Sequence, residues 1–542
     1  MVIILVVWIV AVSAIILRGI HDLFKIVQSI QWLNRENKID KQGDADIPLI
    51  IVLLPVLREQ RLIRATLQYF ANLNYPLERL RIFVITTEKE VVDRQKALEK
   101  LPLLARDIAS KRYNISFLKE KYLGLFSEDV LMKTLFLAQD KESEKEVLQI
   151  LLEMFHTYPT TISLVHEHTD LLNQQIGMPL FTHLHYPDIC GNMNQQLEYA
   201  LKQLPSYIKP EDIANIPTYL AIYNGDSRPH PDTFRLMTSI CNNYFLEFGS
   251  YPKVLQQPAI YLENISYLGS WLSGLFLQAA AVLQSRWVLS HEIPRLLRQS
   301  HSVPPFEVGK LNPIQRLSGA ESAFCVGHGL FLRYDVAQDL GIFSLDKIAD
   351  STIADDLLWS FLLCINHIPI LPLPILESAE SPTTIKSLIL QKGGWFLGYT
   401  QYLRCMMAAL KSGKFNRTDV RLITFYGLFR AITWLLLSPA IFLAFTIPFI
   451  VQSWTMFLIT CAGYALYGFL TYWKIVSKFE ILRGRSGGEW NPFKLSTARK
   501  IALVLFSLPA FLIESVGPWF CLYQRLIWAI THKSPYRLKT ER

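Results

Sequence analysis

Charge is scarce in this chain. Of its 542 residues, 18% are Asp, Glu, Lys or Arg and 51% are apolar, and the mean hydropathy is positive. Soluble globular proteins carry about 25% charged residues, so the composition is unusual for a soluble protein of this length. Cysteine is scarce too. The seven cysteines (Cys190, Cys241, Cys325, Cys364, Cys405, Cys461 and Cys521) are odd in number and never in CxxC spacing. That pattern argues against a disulfide framework and a cysteine-built zinc site, and leaves reduced buried thiols. Neither a nucleic-acid motif nor a basic run with interleaved aromatics is present, so no nucleic-acid partner is expected. No small-residue cleavage site follows the uncharged stretch Val2 to Leu17, which is therefore read as an uncleaved anchor with its N-terminus outside.

In places charge vanishes altogether. Ala431 to Trp473 is 43 residues without one charge, room for two spans of about 20 residues with a break near Pro448 to Ser453. Lys474 to Lys500 is then rich in Lys and Arg and is expected on the cytosolic side. Ile501 to Gln524 is a further apolar segment, marked by Pro509, Glu514 and Pro518. Four full crossings would put the basic tail outside, against the positive-inside rule. Whether this last segment crosses or re-enters stays open. The net charge of +8 sits largely beside apolar segments, which makes a lipid bilayer with an anionic face the expected partner. Ile20, Leu23, Phe24, Val27, Ile30 and Leu33 recur at helical spacing, predicting an interfacial helix. Asn264 to Ser285 is also uncharged. Its serines and glutamines, and its place between two polar motifs, favour a buried or interfacial helix over a span.

These patterns divide the chain. Residues 1–45 are read as anchor plus interfacial helix, and 46–400 as a cytosolic domain with a helical insertion at about 95–185. Interfacial helices are placed at 401–430, transmembrane helices at 431–530 and a basic tail at 531–542. The location that follows is a cell membrane, crossed several times.

The soluble region opens as α/β. Ile47 to Pro55 (IPLIIVLLP) reads as a buried parallel strand. A helix is predicted from Arg58-Glu59 through Phe70, closed by Asn74-Tyr75-Pro76. Arg81 to Glu88 is the second strand, whose polar C-terminal end is where open parallel sheets bind ligands. Val130 to Phe155 reads as one helix. The pairs His166/His168 and His183/His185 raise the question of zinc, but their spacing fits no standard ligand set.

Four polar motifs carry chemistry. Tyr219 to Asp226 (YLAIYNGD) is an apolar strand ending in a turn that could hold a metal or serve as an Asx turn capping the next helix. Asp355-Asp356 opens a helical pattern, and acids there suit the helix dipole as well as catalysis. Gln391 to Trp395 (QKGGW) reads as a turn before the membrane, with Trp395 either lining a site or anchoring at the interface. Gly327-His328-Gly329 reads either as an ordinary turn or as one that lets a histidine approach a ligand closely.

These motifs, with PLIIVLLPVLREQ and NLNYPLERLRIFVIT before them, occur in the order found in membrane-embedded family 2 glycosyltransferases. The chain resembles the bacterial synthases of cellulose, hyaluronan and poly-N-acetylglucosamine over about residues 47–400 and in its membrane layout. The resemblance implies an α/β fold: a GT-A type nucleotide-sugar domain, mostly parallel sheet with helices on both faces, plus transmembrane α-helices. It implies a nucleotide-diphosphate sugar as donor, Mg2+ or Mn2+ as cofactor, and inversion at the anomeric carbon. By the same resemblance Asp356 is the general base, with Asp355 beside it. Pro55, Glu59, Glu88, Asn192, Asn224 and Asp226 face the donor, Asp226 as metal ligand. Gln391, Lys392, Trp395, Gly327, His328 and Gly329 face the acceptor and diphosphate. The expected function is membrane-bound hexosyl transfer to a growing polysaccharide or glycan, coupled to export through an accessory or export subunit. Asn192, Asn224 and Gly394 depart from the family pattern. They keep open two alternatives: a non-processive transferase acting on a lipid acceptor, and a non-catalytic subunit.

Overall fold

The computed structural model describes residues 2–35, 47–110, 118, 128–138, 143–189, 192–209, 217–268, 272–302, 325–344, 355–488 and 495–531. Strands β1 (Leu49–Pro55), β2 (Leu80–Thr87), β3 (Phe181–Tyr186) and β4 (Thr218–Ile222) are paired parallel. The short strands β5 (Arg228–Pro229), β6 (Val254–Gln256), β7 (Ala259–Ile260), β8 (Leu330–Arg333), β9 (Ile370–Pro372) and β10 (Glu377–Ser378) complete the set among the described residues. A seven-stranded sheet has the order β3-β2-β1-β4-β8-β6-β9, with β8 antiparallel to both neighbours. A three-stranded sheet has the order β5-β10-β7.

The β-branched run of β1 is buried on both faces because the sheet is covered twice. Leu49, Ile51 and Leu53 pack with Leu197 and Ala200 of helix Met193–Gln203 and with Leu358 of helix Asp355–Ile365. Ile50, Val52 and Leu54 pack with Ile63, Leu67 and Phe70 of helix Ile63–Ala71 and with Leu164 of helix Thr161–Ile176. A period of two thus feeds two cores. This is the mostly parallel α/β domain with helices on both faces that the sequence led one to expect.

Four helical segments are long and apolar enough to cross a membrane: Val2–Asn34, Arg417–Ile450, Trp454–Val476 and Thr497–Thr531. Helix Leu272–Trp287, which covers much of the uncharged 264–285 stretch, is largely buried. The first segment is one helix, Val2–Arg35, rather than an anchor followed by a separate interfacial helix. Gly19 is no hinge, since a Cβ there would stand 2.9 Å from the Tyr467 backbone; the residue permits close helix packing. The buried face of its C-terminal half is Asp22, Ile26, Ile30 and Leu33, while Ile20 and Phe24 are exposed. Residues 36–46 and 532–542 lie outside the described residues.

Other sequence expectations change as well. Val130 to Phe155 belongs to two helices, Glu128–Leu137 and Glu144–Thr157. The helix expected from Arg58 starts at Ile63, because Arg58 takes a positive φ of 57°. The stretch read as interfacial, 401–430, holds helix Tyr402–Ser412 and the start of the long helix Arg417–Ile450. The last segment is three helices, Thr497–Leu505, Ser507–Glu514 and Val516–Thr531. Pro509 and Pro518 each fall in a first turn, where a missing N–H costs nothing.

Candidate active site

The parallel strands bring their C-terminal ends to one edge. Pro55 ends β1, and the next residue, Val56, donates its N–H to the Ile85 carbonyl of β2. Glu59 is buried there. The turn after β4 reaches toward it: a Cβ on Gly225 would stand 2.9 Å from Glu59 Cγ. Asn224 N–H donates to Ser227 Oγ at 2.9 Å, and Ser227 N–H to the Asn224 carbonyl at 3.1 Å. The turn is therefore closed by Ser227. The next helix, Thr233–Phe248, starts after Asp232, so neither Asn224 nor Asp226 caps it. Asp226 is 2% exposed. The buried Asp226 carboxylate and the Asn224 side-chain amide, two residues apart in the same turn, are oxygen donors of the kind that suits Mg2+ or Mn2+.

Glu88 and Asn192 are engaged in structure. Glu88 Oε2 lies 3.0 Å from His185 Nε2. His185 Nδ1 and His183 Nε2 both meet the Thr86 hydroxyl, at 3.0 and 2.8 Å. Burial pushes His183 down to about 4, helped by His185 and His166. These histidines form no metal-ligand group among the described residues. The group that does have suitable spacing is His21, Asp22 and His291. Its carboxylate already pairs with Arg286 at 2.7 Å and with Arg18 at 3.1 Å. Asn192 caps helix Met193–Gln203: its Oδ1 accepts from Gln195 N–H at 2.9 Å, and its own N–H donates to Gln195 Oε1 at 3.1 Å.

A second group surrounds Asp356. Gly327, His328 and Gly329 lead into β8, and Gly329 N–H donates to the Ile222 carbonyl at the end of β4 at 2.8 Å. The loop therefore sits at the strand edge that carries Asp226. Gly329 must be glycine. Its φ is +65°, and a Cβ would stand 2.6 Å from the Gln257 carbonyl oxygen and 2.9 Å from Glu377 Oε2. The Gln256 amide donates to the His328 carbonyl at 2.8 Å and accepts from Val326 N–H at 3.2 Å. Ser360 accepts from Cys325 N–H at 2.6 Å and donates to the Asp356 carbonyl at 2.8 Å, tying the loop to helix Asp355–Ile365. Asp355 opens that helix; its side chain and residues 351–354 are outside the described set. Asp356 Oδ1 accepts from Leu357 N–H at 2.9 Å. Burial raises the Asp356 carboxyl above its ordinary value, while the Leu357 N–H and His328 pull it back.

Gln391 to Trp395 is not a turn. It lies inside helix Ile385–Tyr399, whose N-terminus is capped by Thr384 accepting from Ser387 N–H at 3.0 Å. The glycines serve packing: a Cβ on Gly393 would stand 3.1 Å from the Gly517 carbonyl oxygen of helix Val516–Thr531. Lys392 Nζ donates to Gln284 at 2.6 Å and to Glu514 Oε1 at 3.0 Å. Its charge is matched within the protein, which also explains a carboxylate in an apolar segment. The Trp395 ring lies tilted against Tyr261, with centroids 5.9 Å apart and planes at 56°.

Asp356, Val326, Lys392, Gly394 and Trp395 line one cavity of about 760 Å³, whose far walls are Leu436, Ala440 and Phe511 of the membrane-length helices. Gln391 faces a smaller pocket with Ser381 and Leu388. Tyr261 and Glu292 also line the large cavity. Neither they nor Glu377 stand out in the sequence, because nothing local marks them; only tertiary packing brings them beside His328.

Residues 308–470 match the model of a family described as Glycosyl transferase family group 2. No curated protein matches the sequence. Among solved structures the chain is similar to S. aureus TarS 1-349, at 10% identity and a TM-score of 0.32 over 88% of this chain and 92% of that chain. It is similar also to the mannosyltransferase PcManGT from Pyrobaculum calidifontis, solved in complex with GDP-Man and Mn2+, at 11% identity and a TM-score of 0.33 over 93% and 98%. The family match bears out the resemblance read from the sequence: the chain is similar to family 2 glycosyltransferases. Sugar transfer is the chemistry this supports.

Proposed function

We propose that the chain is an inverting, membrane-bound hexosyltransferase that moves a sugar from a nucleotide-diphosphate donor to a growing glycan. Asp356 takes the proton of the acceptor hydroxyl. The hydroxyl oxygen attacks the anomeric carbon from the side opposite the diphosphate, whose C–O bond breaks as the new bond forms. Trp395 and Tyr261 hold the acceptor in line. Glu59, Asn224 and Asp226 face the donor at the strand edge, with Asp226 and the Asn224 amide oxygen as the groups that would hold Mg2+ or Mn2+. A divalent ion there would neutralise the departing diphosphate.

One observation carries this reading: the Asp356 side chain and the Trp395 ring open onto a single cavity that continues between membrane-length helices. The apolar far wall of the same cavity favours, as a second reading, an acceptor anchored to a lipid. The test uses full-length protein in detergent with a panel of nucleotide sugars and manganese. Acceptor-dependent release of nucleoside diphosphate from one donor is expected. Release from none, by protein that still binds a nucleotide sugar, would favour the non-catalytic alternative.

A further inference from the structure

We infer that Glu377 and Tyr261 are positioning residues that hold His328 as a cation beside Asp356, and that this cation keeps Asp356 ionised and able to accept a proton. The inference rests on the reading of Asp356 as the base and adds residues to it.

The geometry begins with Glu377. It is 0% exposed, and neither of its carboxylate oxygens accepts a hydrogen bond among the described residues. A buried carboxylate without donors needs a counter-charge or must take up a proton. Its neighbour is His328 Nδ1, 3.0 Å from Oε1. The other ring nitrogen, Nε2, lies 3.2 Å from the Tyr261 hydroxyl, a group able to accept as well as donate. An imidazole so placed can carry protons on both nitrogens.

The strand pairing fixes this arrangement. Glu377 lies in β10 opposite Pro229 of β5, just past the Asp226 turn. His328 lies between two glycines, of which Gly329 admits no side chain. A Cβ on Gly329 would meet the Glu377 carboxylate, and one on Gly327 would stand 3.8 Å from Asp356 Cβ. The loop therefore runs between the Glu377 carboxylate and the Asp356 helix, and His328 is its side chain there.

The other ionisable groups nearby do not supply the charge. Burial raises both the Cys325 thiol and the Tyr399 phenol, so these two neighbours of Asp356 are neutral at physiological pH. Burial also pushes Glu292 up to about 8, with His328 and Arg295 opposing. Arg295 and Arg430 bear on Tyr399. Among the described residues, the cation that bears on Asp356 is His328.

The experiment is the pH dependence of kcat at saturating donor and acceptor, on full-length protein in detergent. Activity rises with pH as the base loses its proton. Removing a cation raises the carboxyl pKa, so the acid limb moves to higher pH. His328→Gln and Glu377→Gln should each move it up by about one pH unit, the low end for loss of a neighbouring opposite charge. Donor KM should stay within about twofold and the high-pH plateau within about tenfold, the latter below a typical general-base loss. Glu377→Asp should restore the wild-type limb. Thermal unfolding of each variant sets the amount of folded protein; if Glu377→Gln does not fold, His328→Gln carries the test alone. Unmoved limbs in folded variants, with Asp356→Asn inactive, would overturn this inference and leave the base assignment standing. An active Asp356→Asn would overturn the base assignment itself.

Discussion

Replacing Lys392 by Met should destabilise the protein more than it impairs donor binding. The ammonium is 5% exposed and its partner Glu514 16%, with the ion pair at 3.0 Å and a hydrogen bond to Gln284 at 2.6 Å. Removing one partner of a buried pair typically costs about 3–5 kcal/mol, because the other charge is left uncompensated. Glu514 is not fully buried and its side chain can relax toward solvent, so about 2–3 kcal/mol is expected here. The double variant Lys392→Met/Glu514→Leu leaves no orphan charge and should recover most of that loss, since apolar replacement of a buried pair is often close to neutral. The assay is thermal unfolding of detergent-purified protein, wild type against the two singles and the double, with donor KM measured in parallel. The reasoning fails if Lys392→Met melts like wild type yet loses donor affinity tenfold. That result would place the ammonium on the diphosphate during turnover, as the sequence resemblance implies, instead of in the helix contact.

Other outcomes follow from the same geometry. Activity should require a divalent cation and fail in Asp226→Ala; full turnover in excess chelator would remove Asp226 from the metal role. Trp395→Ala should lower acceptor use by tenfold or more while donor KM holds, since buried aromatic contacts are worth about 1 kcal/mol and misplacing an acceptor by about 1 Å costs roughly another hundredfold. Trp395→Tyr rescuing expression alone would mark a membrane anchor. Gly329→Ala forces a side chain onto the Gln257 carbonyl and the Glu377 carboxylate at a positive φ. A loss of about 1–3 kcal/mol in stability is expected, read by thermal unfolding; a stability equal to wild type would show that the loop is not held as described.

What the sequence reveals here is what local chemistry encodes. The run LIIVLLP is a strand because β-branched and leucine side chains suit a doubly covered sheet, and its two faces do feed two cores. Long uncharged runs announce membrane-length helices, and the chain has four segments of that kind. Misreadings come where tertiary packing overrides a local signal. Two adjacent glycines suggest a turn at 393–394, yet they let helix Ile385–Tyr399 press against Gly517. Glu377 and Tyr261 gain meaning only from β-pairing and burial around His328, which no spacing in the chain discloses.

The central claim is that Asp356 is the base of a sugar transfer. It is tested most directly by single-turnover transfer in Asp356→Asn, with nucleotide-sugar affinity measured separately on the same folded protein. The account predicts a loss of roughly 100- to 10,000-fold in the chemical step, as for other general bases, with donor affinity close to wild type. A variant that keeps more than about a third of wild-type turnover, where even a weak general base supplies about 100-fold, would contradict it.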